Sequence, residues 1–553
     1  MIRKRIDSMD NKELAMTCDV LVVGAGIAGI MAAIEAAREK QKVVLMSGSH
    51  IFSGSSFYPG TWGLGLITPE DEEDEEDLIQ TIQTVGCGMA DEAMVRSFVK
   101  EMRPTIVYLQ EMGLQLKDAK EKNQKEFIPC FDHKTRSWHG VVADKARERF
   151  KELLQEFEVT LLPYCELVDV IEENRRIAGA LVCERHHELR FIETKAVILA
   201  TGGYGGLFEK KLTTSDITGT GQYIALEHGC TLVNMEFMQM MPALVNKEGK
   251  ASEVPIIFNE KTFRYATLQQ GSETDQTVIQ CDKKILEQRA TYGPFTSRMP
   301  SREIDFLIAS HDKEGLQVRY NKELLEDMPE FIRTYFDWLK KKRNLTPDSD
   351  IRISMFAHAA NGGIKINEEG ATDLQGLFAC GEVTGGMHGA DRIGGLSSAN
   401  GFVFGRRAGK AAAEYAKACL KHTGIRNKHR EKELSLWEIA NREQIKTDLQ
   451  RSMMEGSMVI RSEKGLHQAL ETIITWKDNM IVESTTDVKA YVDSRKLWAQ
   501  LQLATGILQA ERLRKESRGS HYRADYPSID SQYAKRIEIK LQDNCVITEF
   551  EEK

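Results

Sequence analysis

Asp19-Val-Leu-Val-Val is followed by Gly24-Ala-Gly26-Ile-Ala-Gly29, an Ala-rich run (Met31 to Arg38) and a second apolar run, Lys42-Val-Val-Leu-Met46. A strand, a glycine turn that opens a helix, and a second strand make a parallel βαβ unit with a dinucleotide fingerprint. Gly24 makes the turn, Gly26 lets the backbone come close to a pyrophosphate, and Gly29 lets helix pack on strand. The helix N-terminus adds free N–H groups for an anion. Gly24, Ala25, Gly26, Ala28 and Gly29 are therefore candidate cofactor-binding residues. An acid normally ends the second strand and holds the ribose; here the chain reads Met46-Ser47-Gly48, which leaves Ser47 a weaker hydrogen bond.

A second glycine-rich stretch points the same way. An apolar strand, Leu377 to Cys380, runs into a loop with seven glycines between Gly381 and Gly401, and a helix is expected over Phe402 to Ala418. So many glycines after a buried strand mean that backbone must approach a ligand closely. His388 and Arg392 lie inside this loop. Glu382 follows the strand, and Ser397 and Ser398 lie at the helix start, where the dipole favours negative charge.

With 553 residues, the chain can form two to four domains. Its net charge of −9 argues against nucleic acid as a partner. The ten cysteines contain no C-x-x-C, which argues against a zinc ribbon or an iron–sulfur cluster in this chain. Scattered cysteines fit a reducing cytosol. Met1 to Thr17 is polar, so no signal peptide is expected, and no window of about 20 apolar residues marks a membrane span. The acidic run Glu70 to Asp77 reads as a solvated helix N-terminus.

A third piece, Ala196-Val-Ile-Leu-Ala-Thr-Gly-Gly203, is a buried strand ending at Thr201 and Gly202. In this order the three pieces resemble the flavoprotein subunits of succinate dehydrogenase and fumarate reductase, and L-aspartate oxidase. The resemblance covers nearly the whole chain. Met235-Glu-Phe-Met-Gln-Met-Met-Pro242, Pro300-Ser-Arg302-Glu, His358-Ala-Ala-Asn-Gly-Gly363 and Glu516-Ser-Arg-Gly-Ser-His521 extend it. It implies an α/β fold. A Rossmann-like FAD-binding domain (1–228 and 347–424) is interrupted by an α+β capping domain (229–346), and a C-terminal helical domain and tail follow (425–553). Helical patterns stand at 74–84, 91–113 and 141–157, then at 434–455, 463–481 and 487–515. A strand pair is expected at 159–171 and 177–184, a linker at His422 to Lys432, and solvated helix faces at Arg512, Arg514 and Lys515.

The resemblance also implies roles. The reaction moves a hydride between flavin N5 and one carbon of an activated double bond, while an acid handles a proton on the neighbouring carbon. Arg302 aligns with the family's acid–base arginine, with Arg298 the next candidate. His358 and Arg392 match the groups that hold a substrate carboxylate. Glu382 is placed at the flavin ribitol, and Ser47, Ser55, Thr201, Gly202, Arg392, Ser397 and Ser398 join it around FAD. His388 shapes the loop or lies near the flavin.

Three departures matter. A histidine that binds a second carboxylate is replaced by Met241. The Thr-Glu pair before Arg-Gly-Glu-Gly becomes Ser252-Glu253, one residue out of step, with Glu253 a candidate proton relay to Arg302. The tethering histidine of a Ser-His-Thr context is Phe57 in Ser53-Gly-Ser-Ser-Phe57, so FAD is expected to be non-covalent. The expectation is a cytoplasmic FAD-dependent oxidoreductase of a small, unsaturated carboxylic acid, poorly suited to fumarate or succinate. It would take electrons from a separate protein such as a ferredoxin or an iron–sulfur subunit, which could hold it at the inner face of a membrane. The rivals are an amino- or hydroxy-acid oxidase or dehydrogenase like L-aspartate oxidase, and a non-catalytic electron-transfer subunit.

Overall fold

The computed structural model describes residues 15–61, 64–118, 128–246, 248–252, 254–272, 275–311, 313–419 and 435–552. The fingerprint folds as its pattern dictates: strand β1 (Val20–Val23), helix α1 (Ile27–Arg38) and strand β2 (Val43–Ser47). Strands β3 (Thr160–Pro163), β4 (Ala196–Leu199) and β5 (Leu377–Ala379) complete a parallel sheet of order β5-β4-β1-β2-β3. Every residue of β1, β2, β4 and β5 is buried, as a parallel sheet covered on both faces requires. Pro163 sits on the edge strand, where a missing N–H costs least.

Helix α2 (Leu396–Ala418) lies against α1. It starts six residues before the expected Phe402, because Gly395, at φ 84°, caps it. The contact is backbone to backbone. A Cβ on Gly405 would stand 2.5 Å from the Ala28 carbonyl oxygen, and one on Gly409 would stand 2.4 Å from that of Ala32. The alanines of α1 and glycines of α2 thus fix how close the helices come.

The expected strand over 159–171 is two strands. Tyr164 turns the chain at φ 56°, so β3 stays in the central sheet while Glu166–Glu173 enters a second one. Residues Met238–Val245 pair antiparallel with Ile351–Ala360 in a five-stranded sheet that also holds Leu316–Tyr320, Ala266–Ser272 and Asp275–Val278. The three early helical patterns form Glu72–Val85, Glu92–Glu111 and Ala143–Glu156. In the acidic run Asp71 caps its helix through the Asp74 N–H at 2.8 Å. Asp74 is buried and pairs with Arg136, so that one acid is not solvated.

The later patterns form Arg442–Gly456, Glu463–Asp478 and α3 (Val488–Leu513). The first begins later than expected because Trp437–Ile439 pairs with Val482–Ser484. The linker at His422 to Lys432 lies outside the described residues. Arg514 corrects the solvated-face reading. It is fully buried, with ion pairs to Glu236 and Glu516 at 2.9 Å each, whereas Lys515 is exposed. The tail is not only helical: Ile537–Gln542 and Cys545–Phe550 form a hairpin that joins Leu232–Val233 in a separate sheet.

Gly409→Ala is expected to cost about 1–3 kcal/mol through overpacking against Ala32. An exposed helix would gain about 1 kcal/mol from the same change. Thermal unfolding of the two proteins checks the sign; an unchanged or raised Tm would refute the close helix contact.

Candidate active site

Both glycine motifs open onto one cavity of about 660 Å³. All the cofactor-binding residues expected from sequence line it except Gly29. Gly29 has a packing role: a Cβ there would fall 1.8 Å from the Gly24 carbonyl oxygen. Gly24 itself, at φ 112°, passes so close to β4 that a Cβ would stand 2.2 Å from the Ala200 carbonyl oxygen. The first turns of α1 and α2 both reach the wall, through Ile27 on one and Ser397 and Ser398 on the other. Two positive helix ends therefore serve one cavity.

Several wall groups lack partners among the described residues. The hydroxyls of Ser55 and Thr201 are buried with no hydrogen bond. A native interior rarely leaves such groups unpaired, so they are reserved for a ligand. Glu382, on the short Gly381–Val383 turn, accepts the Ala360 N–H at 3.0 Å, and burial pushes its carboxyl up. Ser47 turns its hydroxyl to the His50 carbonyl at 3.2 Å. Around it, acids that sequence reasoning missed come to the cavity. Ser49 donates to Asp216 at 2.7 Å, and Glu166, paired with Lys496 of α3, lies beside Gly48.

A second group of residues surrounds Met241. Tyr58, Leu212, Ile257 and Phe356 form an apolar cluster with it, and all but Phe356 face the cavity. His358 and Arg392 also line the cavity. Arg392 Nε donates to Gln239 Oε1 at 3.1 Å; among the described residues its other guanidinium nitrogens have no partner. Burial and the neighbouring Arg392 push His358 down to about 3, so the imidazole is neutral at ordinary pH. Its Nδ1 has no hydrogen-bond partner. Glu260, which sequence reasoning also missed, lines the cavity and accepts a hydrogen bond from the Cys130 thiol at 3.2 Å.

The arginines expected to carry the proton stand elsewhere. Arg302 opens the helix Arg302–Ser310, donates to the Ser297 carbonyl, and holds its guanidinium 5.5 Å from the Tyr522 ring centre. Arg298 Nε is bonded to Asp391 at 2.7 Å, and its guanidinium lies 5.2 Å from the Phe131 ring centre. Neither lines the cavity. His388 is buried behind the loop, 3.5 Å from the Asn400 amide, and is not on the wall. Glu253 lies outside the described residues.

Residues 19–398 match the FAD binding domain family, and residues 446–549 match the fumarate reductase flavoprotein C-terminal family. The chain belongs to the fumarate reductase and succinate dehydrogenase flavoprotein family. It is 27% identical to a chain of the CoM/CoB fumarate reductase of Methanothermobacter marburgensis, over 94% of this chain and 96% of the relative. It is 25% identical to L-aspartate oxidase of Mycobacterium tuberculosis, over 95% and 96%. The fold is shared with the FrdA chain of E. coli quinol fumarate reductase, with a TM-score of 0.77, 20% identity, and 98% and 97% of the two chains covered.

This flavoprotein is thus an FAD-dependent oxidoreductase, and the cavity fits the cofactor. The glycine turn accepts backbone approach, the two helix ends suit a pyrophosphate and an electron-rich ring, and the orphan hydroxyls of Ser55 and Thr201 await partners. Among the described residues no set of three or more His, Cys, Asp or Glu side chains could hold a metal, and no helix is long and apolar enough to cross a membrane.

Phe57 is buried and packs edge-on against Phe52 at 5.7 Å, so the tethering position carries no nucleophile. Acid precipitation of the holoprotein is therefore expected to release yellow flavin into the supernatant. Colour retained in the pellet would contradict a non-covalent site.

Proposed function

We propose that this flavoprotein reduces a small α,β-unsaturated carboxylic acid, or runs the reverse reaction, and grips its substrate by one carboxylate. Bound FAD supplies the hydride chemistry. The protein binds, orients and polarises. The observation that carries this reading is Arg392: a half-buried guanidinium on the cavity wall whose one hydrogen-bond partner among the described residues is Gln239. Glu382 acts on it electrostatically without hydrogen-bonding to it, so its remaining N–H donors are left for a substrate carboxylate held through charge-assisted hydrogen bonds. Neutral His358 adds a hydrogen-bonding imidazole without a second positive charge.

The protonic half of the reaction needs a donor at the reacting carbon. Arg302 fills that role only if the Arg302–Ser310 helix end leaves Tyr522 and turns to the cavity. The rest of the substrate lies against Met241 and its apolar neighbours, with no cation there for a second carboxylate among the described residues. A separate electron-transfer protein is proposed as the donor.

Losing one charge-assisted hydrogen bond costs about 1.5–3 kcal/mol, roughly tenfold to over a hundredfold in binding. Reduced holoenzyme mixed anaerobically with fumarate is therefore expected to re-oxidise more slowly, at limiting acid, than with a monocarboxylic enoate. Met241→His is expected to narrow the gap. Equal rates with fumarate and every monocarboxylic enoate tested would overturn the proposal.

A further inference from the structure

The adenosine end of the cofactor site has no acid at the usual place. In a dinucleotide fold an acid near the end of the second strand takes the ribose hydroxyls, and here β2 ends in Ser47. That side chain is 3% exposed and already engaged. Its hydroxyl donates to the His50 carbonyl at 3.2 Å, lies 3.3 Å from the Ser53 hydroxyl, and accepts the Ser49 N–H at 3.3 Å. Ser47 therefore shapes the loop that follows β2 and leaves the ribose without a carboxylate.

Two acids from distant segments reach the same place. Glu166 stands beside Gly48, with its Cγ 3.5 Å from the Cβ position there, but it is paired with Lys496 of α3. Asp216 is different. Ser49, two residues past the end of β2, donates to Asp216 Oδ2 at 2.7 Å, and among the described residues Asp216 has no other hydrogen bond and no ion pair. A carboxylate accepts several hydrogen bonds, and this one lines the cavity. Ile217 fixes its position. The Ile217 Cδ1 lies 2.7 Å from the Cβ position of Gly202 and 4.0 Å from that of Gly54, and the Ile217 carbonyl accepts the Gly206 N–H at 2.8 Å. The end of β4, the loop after β2 and the Asp216 segment thus meet at one point of the wall.

We infer that Asp216, presented by Ser49, holds the ribose hydroxyls of the bound cofactor in place of the acid that β2 lacks. A carboxylate accepts both hydroxyls of a cis-diol through charge-assisted hydrogen bonds. The Ser47 hydroxyl, committed to its own loop, does not. The inference concerns the cofactor and is independent of the carboxylate grip on the substrate.

The test separates the ribose hydroxyls from the rest of the nucleotide. ADP and 2′,3′-dideoxy-ADP are titrated calorimetrically into the full chain freed of FAD, and FAD release from the holoenzyme is followed by flavin fluorescence. Wild-type protein is expected to bind ADP about tenfold or more tightly than the dideoxy compound. Asp216→Asn is expected to bring that ratio to within about threefold, to leave dideoxy-ADP binding unchanged, and to release FAD about tenfold or more faster. Glu166→Gln is expected to keep the wild-type ratio. A ratio unmoved by Asp216→Asn, or both nucleotides weakened equally, would overturn the inference, the second result by making Asp216 a structural residue. Loss of the ratio in Glu166→Gln alone would overturn it by assigning the ribose to Glu166. If neither nucleotide binds the FAD-free chain, the release rate decides: an unchanged rate in Asp216→Asn overturns the inference.

Discussion

Helices α1 and α2 touch backbone to backbone, and the site depends on that contact. Gly405 and Gly409 leave no side chain between α2 and the carbonyls of Ala28 and Ala32. The helices begin at neighbouring glycine turns, so the same approach brings both N-termini to one cavity. A larger side chain at either glycine would separate the turn that suits a pyrophosphate from the turn that presents Ser397, Ser398 and Arg392. Gly24 and Gly29 repeat the constraint on the other side of α1, against Ala200 and against each other. The parallel sheet supplies the rigid layer beneath, with its three inner strands and the edge strand β5 fully buried.

Electrostatics divide the cavity. Beside β2 the polar groups are already partly engaged: Ser49 with Asp216, and Glu166 with Lys496. Near Met241 they are not. Among the described residues Arg392 is hydrogen-bonded only to the neutral Gln239 and Glu260 only to the Cys130 thiol, and burial keeps His358 and Cys130 uncharged. A wall with Arg392 at one place and the Met241 apolar cluster at another differs from one built for two carboxylates. Arg302 and Arg298, each occupied by an aromatic ring and an oxygen acceptor, add no further charge to the wall.

What is legible in the sequence is backbone. Glycine turns between strand and helix carry their geometry in local spacing, so the fingerprint, the Thr201-Gly202 strand end and the Gly381–Gly401 loop can be placed without a structure. Charges brought in from a distance cannot. Glu260 comes from a segment with no motif, held in place where Ile257 bridges to Ala243 of the Met238–Val245 strand. Arg514 looks solvated in sequence because local periodicity cannot show that Glu236, far away along the chain, will bury it. Arg302 stands out by resemblance of a short Ser-Arg-Glu string, and Tyr522, which holds it, lies in the C-terminal segment. The C-terminal hairpin does carry a local signal. Ile537-Glu-Ile-Lys-Leu alternates, and Asp543-Asn544 takes positive φ at both turn residues (49° and 61°), the preference of a two-residue hairpin loop.

The central claim is that Arg392 needs a carboxylate. The most direct measurement compares an α,β-unsaturated acid with its methyl ester as anaerobic oxidants of the reduced holoenzyme. The ester keeps the shape and the activated double bond but removes the charge. The acid is expected to re-oxidise the flavin at low concentration, and the ester to do so at least about tenfold less efficiently. Equal efficiency of acid and ester would contradict the account.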